Sequence, residues 1–160
     1  MSLWAYCYVS EATSAVDRSD LKARLKTAQA FNRSRSITGC LIYEQGHFAQ
    51  ILEGGEMELQ ALMQRIARDP RHRNLRIVWS GPVARPMFEQ WSMAAFNLDQ
   101  PDPADSVSIR ELRQELAEFI AVSEQNLATF PAFFRFCLAC QRAGSEPEEV
   151  TLEVPRFMAG

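Results

Sequence analysis

Three polar side chains lie in apolar surroundings and could bind a ligand: Tyr8, Asn32 and Gln50. Gln50 belongs to the alternating stretch G-H-F-A-Q-I-L-E-G, on the strand face that it shares with Phe48 and Leu52. A carboxamide has two N–H donors and an acceptor, and leaving a buried polar group unpaired costs about 1–3 kcal/mol. Gln50 therefore bonds a backbone group or water, lies on a wet edge strand, or contacts a ligand that rests on the sheet.

Tyr8 and Asn32 suit the last of these alternatives. Tyr8 lies in an aromatic-rich strand, and its hydroxyl needs a hydrogen-bond partner. Asn32 closes a core-facing helical stripe with spacings of four, three and four: Leu21, Leu25, Ala28 and Asn32. Both residues also have an ordinary alternative, because the phenol can bond the backbone and an asparagine at a helix end can be a C-cap.

The elements that would position these residues follow the order β-α-β-β-α-β-β. Strands are predicted at residues 2–10, 36–43, 47–53, 75–79 and 88–96, and helices at about 20–32 and 56–68. This order predicts an α+β, ferredoxin-like fold, with a mixed five-stranded sheet and both helices on one face. A ligand groove is then expected between the two helices.

Local signals set the expected boundaries of these elements. Ser19 or Asp20 is expected to cap the first helix. The turn of the hairpin is predicted at Glu44-Gln45-Gly46, and Gly54-Gly55 is expected to end the third strand. Arg71-His72-Arg73 is predicted to form a short basic loop before the fourth strand.

A C-terminal helical extension is predicted beyond Pro101-Asp102-Pro103, which divides a domain of residues 1–100 from an extension of residues 101–160. One helix should start at the capping box of Ser108 and Glu111 and reach about residue 123. A second apolar helix is predicted at 131–142, followed by a loosely ordered tail. Helices this apolar must pack on the open face of the sheet, on each other, or on a second subunit.

Composition excludes several classes of function. The chain has 160 residues and a net charge of −3, from 17 basic and 20 acidic residues, so nucleic-acid binding has no electrostatic support. No apolar run reaches the ~18–20 residues of a membrane span. The N-terminal stretch M-S-L-W-A-Y-C-Y-V-S is typical of a strand rather than of a signal peptide. We therefore expect a cytoplasmic protein that binds neither nucleic acid nor membrane.

Reactive groups give little support for catalysis or for a metal site. Cys137 and Cys140 have C-x-x-C spacing, but they stand alone inside an apolar stretch, which favours core packing. The two histidines, His47 and His72, have no nucleophile and acid in a recognisable order. No phosphate-binding glycine loop is present. Spacing alone therefore indicates a small binding module rather than an enzyme.

Six separated motifs resemble those of the BLUF family, the sensors of blue light using flavin. They are Y-V-S at 8–10, F-N at 31–32, I-T-G at 37–39, F-x-Q-x-L-E-G at 48–54, D-P-R-H at 69–72 and W-S-M at 91–93. The resemblance covers about residues 2–98 and implies the same ferredoxin-like fold, with the isoalloxazine ring between the two helices.

The resemblance implies a role for each matching residue. Tyr8 matches the donor of an electron and a proton to the excited flavin, and Gln50 matches the glutamine that bridges this tyrosine and the flavin. Asn32 matches the asparagine that hydrogen-bonds the polar edge of the ring. Further matches lie near the ribityl-phosphate end (Arg65, Arg71 and His72) and among the fifth-strand residues that pass the signal outward (Trp91 and Met93).

The resemblance also implies a cofactor, FAD or else FMN or riboflavin, and a photoreceptor without enzymatic activity of its own. No effector sequence follows residue 100, so the chain is similar to short members that act through a separate, unknown downstream protein and form homo-oligomers. Two departures from the family pattern are Phe31, where relatives often have a polar residue or His, and Ala28, where several have Ser. Two alternatives remain open: a flavin- or dithiol-dependent redox protein using Cys137 and Cys140, and a non-photic ligand-binding module.

Overall fold

The computed structural model of the chain describes residues 3–89, 92–99, 107–124 and 135–140. Within these ranges the elements are β1 (Leu3–Ala12), α1 (Arg18–Ser34), β2 (Thr38–Glu44), β3 (His47–Gly55), α2 (Glu56–Ala67), β4 (His72–Pro82), β5 (Ala94–Asn97) and α3 (Val107–Glu124). Residues 135–140 are also helical. The predicted order of elements and the α+β fold class are confirmed.

The five strands form one mixed sheet in the order β4-β1-β3-β2-β5. β1 is antiparallel to β3 and β4, β2 is antiparallel to β3, and β5 is parallel to β2. Because β1 and β3 are adjacent and in register, Tyr8 lies directly opposite Gln50. The two residues therefore point to the same face of the sheet.

Helices cover both faces of this sheet. Leu25 of α1 and Leu62 of α2 line the same cavity as Gln50, so both helices lie on the face of Tyr8 and Gln50. Leu116 of α3 lies beside Val9 and Ala49, which alternate to the opposite face.

The described C-terminal segments belong to the same hydrophobic core as the sheet. Leu112, Leu116 and Phe119 of α3 are buried in that core, and the ring of Phe119 stacks on Phe136 with centroids 5.5 Å apart. Two of the predicted alternatives thus hold together, since the helices pack on the open face of the sheet and on each other. The predicted linker at 101–103, the ends of the helix predicted at 131–142 and the tail lie outside the described residues.

Pairing between β1 and β4 corrects two predicted strand boundaries. β1 continues past residue 10 to Ala12, because Ala12 pairs with His72 of β4. The prediction of a basic loop at Arg71-His72-Arg73 is therefore wrong, and β4 begins at His72 rather than at Leu75. A sequence window cannot detect this extension, because the pairing partner is sixty residues away in the chain.

Three further boundaries differ from the prediction. β3 extends two residues beyond its predicted end and stops at Gly55, since Gly54 and Gly55 pair with β1. β5 covers Ala94–Asn97 rather than 88–96, so Met93 precedes the strand instead of lying in it. The N-cap of α1 is Asp17, which forms a reciprocal capping box with Asp20.

The hairpin between β2 and β3 turns at Gln45 and Gly46, with φ of 49° and 78°. Two successive positive φ values are typical of the tight hairpin turns whose twist matches that of the strands. Glu44, predicted to lie in the turn, is the last residue of β2. The backbone N–H of Gln45 donates to the carboxylate of Asp99 at 2.9 Å, which holds the turn against the chain that follows β5.

Replacing Gly39 by alanine should destabilise the fold severely. A Cβ atom at this position would overlap the carbonyl oxygen of Ile51, whose backbone is fixed in the β2–β3 ladder. We expect a loss of about 3 kcal/mol or more in the free energy of unfolding, measured by urea denaturation. Gly55→Ala is the matched control, because its Cβ would meet only the Glu58 side chain at 3.8 Å, and it should cost about 1 kcal/mol or less. Equal costs for the two variants would contradict this expectation.

Candidate functional site

A cavity of about 260 Å³ lies between α1, α2 and the sheet. Apolar and aromatic side chains form most of its wall: Leu25, Ala28, Phe31, Leu41, Phe48, Leu52, Leu62, Ile66 and Met93. All six residues predicted to bind the cofactor also line it: Tyr8, Asn32, Gln50, Arg65, Arg71 and His72. The structure thus brings together side chains from five separate elements (β1, α1, β3, α2 and β4) and one connection.

Gln50 connects Tyr8 to Met93 across the floor of this cavity. The Tyr8 hydroxyl donates a hydrogen bond to Oε1 of Gln50, and Nε2 of Gln50 donates to Sδ of Met93 at 3.5 Å. Both Tyr8 and Gln50 are buried. Of the alternatives left open by the sequence, a backbone partner for Gln50 is not found among the described residues, where its partners are two side chains. Sequence reasoning placed Met93 in the signal path but did not find its contact with Gln50.

The side chain of Asn32 is turned to the cavity, while its backbone lies in the last turn of α1. Its carbonyl oxygen accepts from the N–H groups of Arg35 and Ile37, and Arg35 is the C-cap residue. Nδ2 of Asn32 donates to the carbonyl oxygen of Ser92 at 2.9 Å. The C-cap alternative for the Asn32 side chain is therefore wrong.

Gln29 of α1 is a second amide residue, which sequence reasoning missed, and it holds the same connection between β4 and β5. Nε2 of Gln29 donates to the carbonyl oxygen of Met93 at 3.3 Å, one residue beyond the carbonyl that Asn32 binds. Gln29 precedes Asn32 by three residues, so the two lie on one helix face. Together they fix the backbone on the N-terminal side of β5. Trp91, the other predicted signal residue, lies outside the described residues.

Burial holds the Tyr8 phenol in its neutral form. Removal from water raises the pKa of Tyr8 well above its ordinary value of 10.0, and the nearby Cys7 and Asp69 raise it further. The hydroxyl therefore keeps its proton at neutral pH and presents it to Gln50.

The charged groups of the cavity include a close ion pair. Nε of Arg71 donates to both carboxylate oxygens of Asp69, at 2.9 and 3.0 Å. These hydrogen bonds lower the pKa of Asp69 to about 2 and raise that of Arg71. The pair fixes the orientation of the Arg71 guanidinium at the cavity wall.

Arg24 is a cavity residue that sequence reasoning missed. Its guanidinium lies 5.6 Å from the centroid of the Phe48 ring and has no hydrogen-bond partner among the described residues. Burial is the largest cause of the lowered pKa of Arg24, and the neighbouring charge of Arg71 lowers it further. An anionic group bound beside Arg24 would offset both the cost of burying its charge and the repulsion from Arg71. The sequence signal that could have revealed Arg24 is its spacing, since it follows Leu21 by three residues along the core-facing stripe.

Two arginine guanidinium groups pack on the ring of Phe31, beside the cavity. The guanidinium of Arg65 lies 4.4 Å from the centroid of its ring, and that of Arg35 lies 3.8 Å from it. Cation–π contacts of this kind stabilise by about 0.5–1 kcal/mol at exposed sites. The departure from the family pattern at this position thus supplies an aromatic surface that holds Arg65 in place.

His72 links α2 to β1 through both nitrogens of its ring. Nε2 lies 2.6 Å from the carbonyl oxygen of Ile66, and Nδ1 lies 2.9 Å from Oγ of Ser10. A carbonyl oxygen only accepts, so Nε2 carries the hydrogen, and in the neutral ring Nδ1 accepts from the Ser10 hydroxyl. Because both nitrogens have protein partners, the predicted contact of His72 with a cofactor would be made by the surface of its ring.

The four cysteines are free and buried, which agrees with the predicted core packing. Burial is the largest cause of the raised pKa of both Cys137 and Cys140. A thiol of this kind is a poor nucleophile, which disfavours the alternative of a dithiol redox enzyme. In the described part of the chain, no three His, Cys, Asp or Glu side chains are placed to hold a metal ion. Over the same residues, no helix is long and apolar enough to cross a membrane.

Comparison with known proteins agrees with this geometry. The family described as sensors of blue light using FAD, BLUF, matches residues 3–94. The photoactivated adenylate cyclase subunit beta of Euglena gracilis is 35% identical over 95 residues, which are 59% of this chain and 11% of that protein. The chain thus belongs to the BLUF family, the blue-light sensors that bind FAD.

Solved structures show the same similarity. A bacterial light-regulated adenylyl cyclase has a TM-score of 0.66 and 27% identity, covering 77% of this chain and 35% of that one. The ground state of BlsA has a TM-score of 0.60 and 25% identity, covering 71% of this chain and 72% of that one. The chain spans about a tenth of the length of the curated cyclase relatives, so their cyclase activity is not transferred to it.

Asp69→Asn should remove a pH-dependent contribution to stability. The pKa of Asp69 falls from its ordinary 3.8 to about 2 on folding, so folding favours the ionised carboxylate. Its contribution is complete above the unfolded value and is lost as the pH falls through about 2. We expect the variant to have a lower urea midpoint than the wild type at about pH 6, and the difference to shrink by about pH 3. A constant difference between these pH values would contradict the assignment.

Proposed function

We propose that Tyr8 and Gln50 carry the photochemical change in this blue-light sensor, and that the C-terminal helices pass it to a separate partner protein. The observation that supports this most directly is the continuous contact from the Tyr8 hydroxyl through Gln50 to Met93. It joins a group that can lose an electron and a proton to a residue just before β5.

The residues of the cavity fit a flavin. Apolar and aromatic side chains suit the faces of an isoalloxazine ring, and Oδ1 of Asn32 has no protein partner among the described residues, so it can accept from the polar edge of the ring. Arg24, which has no hydrogen-bond partner in the described part of the chain, and Arg65 suit the phosphates. The volume of about 260 Å³ lies slightly below the usual range for ligand sites. This size suits the ring system, with the rest of FAD extending beyond the cavity.

When bound, the flavin supplies absorption of blue light and an excited state that accepts an electron. The neutral Tyr8 phenol is a feasible donor, and loss of an electron makes its proton very acidic. Oε1 of Gln50 accepts the hydrogen bond from this hydroxyl, so it lies on the path of that proton. Gln50 can both donate and accept, so it would pass the proton on towards the flavin that would hold the electron. Return of both to Tyr8 would leave Gln50 in another rotamer or tautomer. Either change alters the donor that Gln50 presents to Met93 and shifts the flavin absorption to the red.

Contacts that follow Met93 supply a route to the C-terminal helices. β5 pairs with β2, and the carbonyl oxygen of Leu98, just beyond β5, accepts from Arg113 of α3 at 2.9 Å. Nε of Arg113 also donates to Glu44 at the end of β2, at 2.6 Å. A shift of β5 would therefore be felt by α3, which we propose as the surface that docks a downstream protein or a second copy of this chain.

Tyr8→Phe should abolish the light response while the flavin stays bound. The variant keeps the ring and loses the hydroxyl that donates to Gln50. The matched control is Tyr43→Phe, because Tyr43 is also buried in the sheet and contacts Phe48, but it does not bond Gln50. Light-minus-dark absorption spectra of the purified proteins should show a reversible red shift in the wild type and in the control only.

Two results would overturn the proposal. A wild-type protein that binds flavin and shows no reversible red shift would exclude the photochemical role of this site. A Tyr8→Phe variant with a shift of wild-type size would exclude Tyr8 as the donor. Protein purified without any flavin would favour the non-photic ligand-binding alternative.

Arg24→Ala should weaken binding of FAD more than binding of riboflavin. A charge-assisted hydrogen bond to phosphate contributes enough to change the dissociation constant of FAD by about tenfold. Riboflavin has no phosphate and should lose little. Arg33→Ala is the control, because Arg33 is exposed on α1 and does not line the cavity. Titrations of apoprotein with each flavin measure the effect, and equal losses for the two ligands would refute this role for Arg24.

A further inference from the structure

Glu53 is a buried carboxylate in the strand that also carries Gln50. Only 1% of its surface is exposed, and three protein donors surround it. The Thr38 hydroxyl donates to it at 2.9 Å, the backbone N–H of Phe88 donates at 2.9 Å, and that of Met87 donates to its second oxygen. Glu53 follows Gln50 by three residues in β3, so its side chain lies on the opposite face of the sheet.

The position is costly for a group whose only role is packing. A carboxylate removed from water costs several kcal/mol unless hydrogen bonds compensate it, and an apolar residue of similar volume is often at least as stabilising. Burial accordingly raises the pKa of Glu53, while the donors from Met87, Phe88 and Thr38 lower it. Unlike an apolar residue, the carboxylate accepts hydrogen bonds from two successive backbone N–H groups. Those N–H groups belong to the connection between β4 and β5.

β3 therefore holds this connection at two points. Glu53 binds it at residues 87–88, and Gln50 contacts it at Met93. The Glu53 contact is made by a carboxyl group on one face of the sheet and does not involve the cavity. The Gln50 contact is made by an amide whose donor and acceptor can exchange. The connection is thus anchored at residues 87–88, and its end at Met93 is the part that light would change.

The same carboxylate lies close to the C-terminal helical stretch at 135–140. The pKa of Cys137 is raised first by burial, then by Cys7, then by the charge of Glu53. Cys140, one turn further on, is also buried. Phe88, whose N–H donates to Glu53, lies in the same buried core as Phe136, Cys137 and Cys140. Glu53 thus holds a connection that shares its core with the C-terminal helical stretch.

We propose that Glu53 is a positioning residue that couples the Gln50–Met93 contact to the C-terminal helices. Because Glu53 fixes residues 87–88, the connection cannot adjust there when Met93 changes position. The change at Met93 therefore displaces β5 and the elements packed beyond it. This inference rests on the function proposed above. It adds a residue on the face of the sheet opposite the flavin cavity.

The test uses the full chain with bound flavin and the variant Glu53→Gln. An amide of the same size has an NH₂ group in place of one oxygen, so one of the two N–H groups, which donate to separate oxygens of Glu53, would face a donor. Three quantities are measured: the red shift, the half-time of dark recovery, and the rate at which N-ethylmaleimide labels Cys137 and Cys140 in light and in darkness. Mass spectrometry of the peptides distinguishes these thiols from Cys7 and Cys40.

We expect the variant to keep a red shift of wild-type size, because Tyr8 and Gln50 are untouched. Dark recovery should become about tenfold faster, since an anchored charge-assisted hydrogen bond no longer opposes the return of the connection. In the wild type, light should change the labelling rate of Cys137 and Cys140, and this difference should fall at least about threefold in the variant. An undiminished red shift with a lost labelling difference is the uncoupling that a role in packing alone would not produce.

Matched variants control the experiment. Glu58→Gln changes an exposed carboxylate on α2 that does not line the cavity, and it should behave as the wild type. If Glu53→Gln does not fold, Thr38→Val removes one of the three donors, and Thr38→Ser restores the hydroxyl. The valine variant should then shift recovery and labelling in the same direction as expected for Glu53→Gln, and the serine variant should not.

The outcomes separate this inference from the proposed function. A wild type without a red shift would overturn the proposed function and the inference together. A wild type with a red shift but with labelling that does not respond to light would overturn only the inference. So would a Glu53→Gln variant whose recovery and light-dependent labelling stay within about twofold of the wild type.

Discussion

The antiparallel register of β1 and β3 is the constraint on which the rest of the structure depends. It places Tyr8 opposite Gln50, so that a phenol and a carboxamide meet on the cavity side of a buried sheet. A slip of one residue would send every side chain of a strand to the other face. Gln50 and Glu53 oppose such a slip of β3, because it would take each of these buried polar groups away from its hydrogen-bond partners.

β3 makes side-chain contacts with the β4–β5 connection from both faces of the sheet. On one face Gln50 contacts Tyr8 and Met93 beside the cavity, and on the other face Glu53 holds the connection that leads to Met93. The C-terminal helices pack on this second face and share the hydrophobic core. The cavity and the opposite surface are therefore joined through a single strand and one connection.

Sequence reasoning succeeded where a local pattern decided the result. The order of the elements, the two helices beside the cavity and the shared stripe of Leu25 and Asn32 all follow from periodicity. It failed at strand ends, because β1 and β4 extend by pairing with each other over a long separation in the chain. It also misplaced β5, since the backbone N–H groups at 87–88 bond a side chain rather than a neighbouring strand.

The sequence by itself determined the polar residues of the site, because Tyr8, Asn32 and Gln50 are out of place in apolar stripes and match the motifs of one family. Only the tertiary structure decided what these residues touch. The contact of Gln50 with Met93, the anchoring of residues 87–88 by Glu53 and the place of Arg24 in the cavity join distant parts of the chain. The physical reason is that a hydrogen bond depends on distance and direction, which periodicity within one element cannot specify.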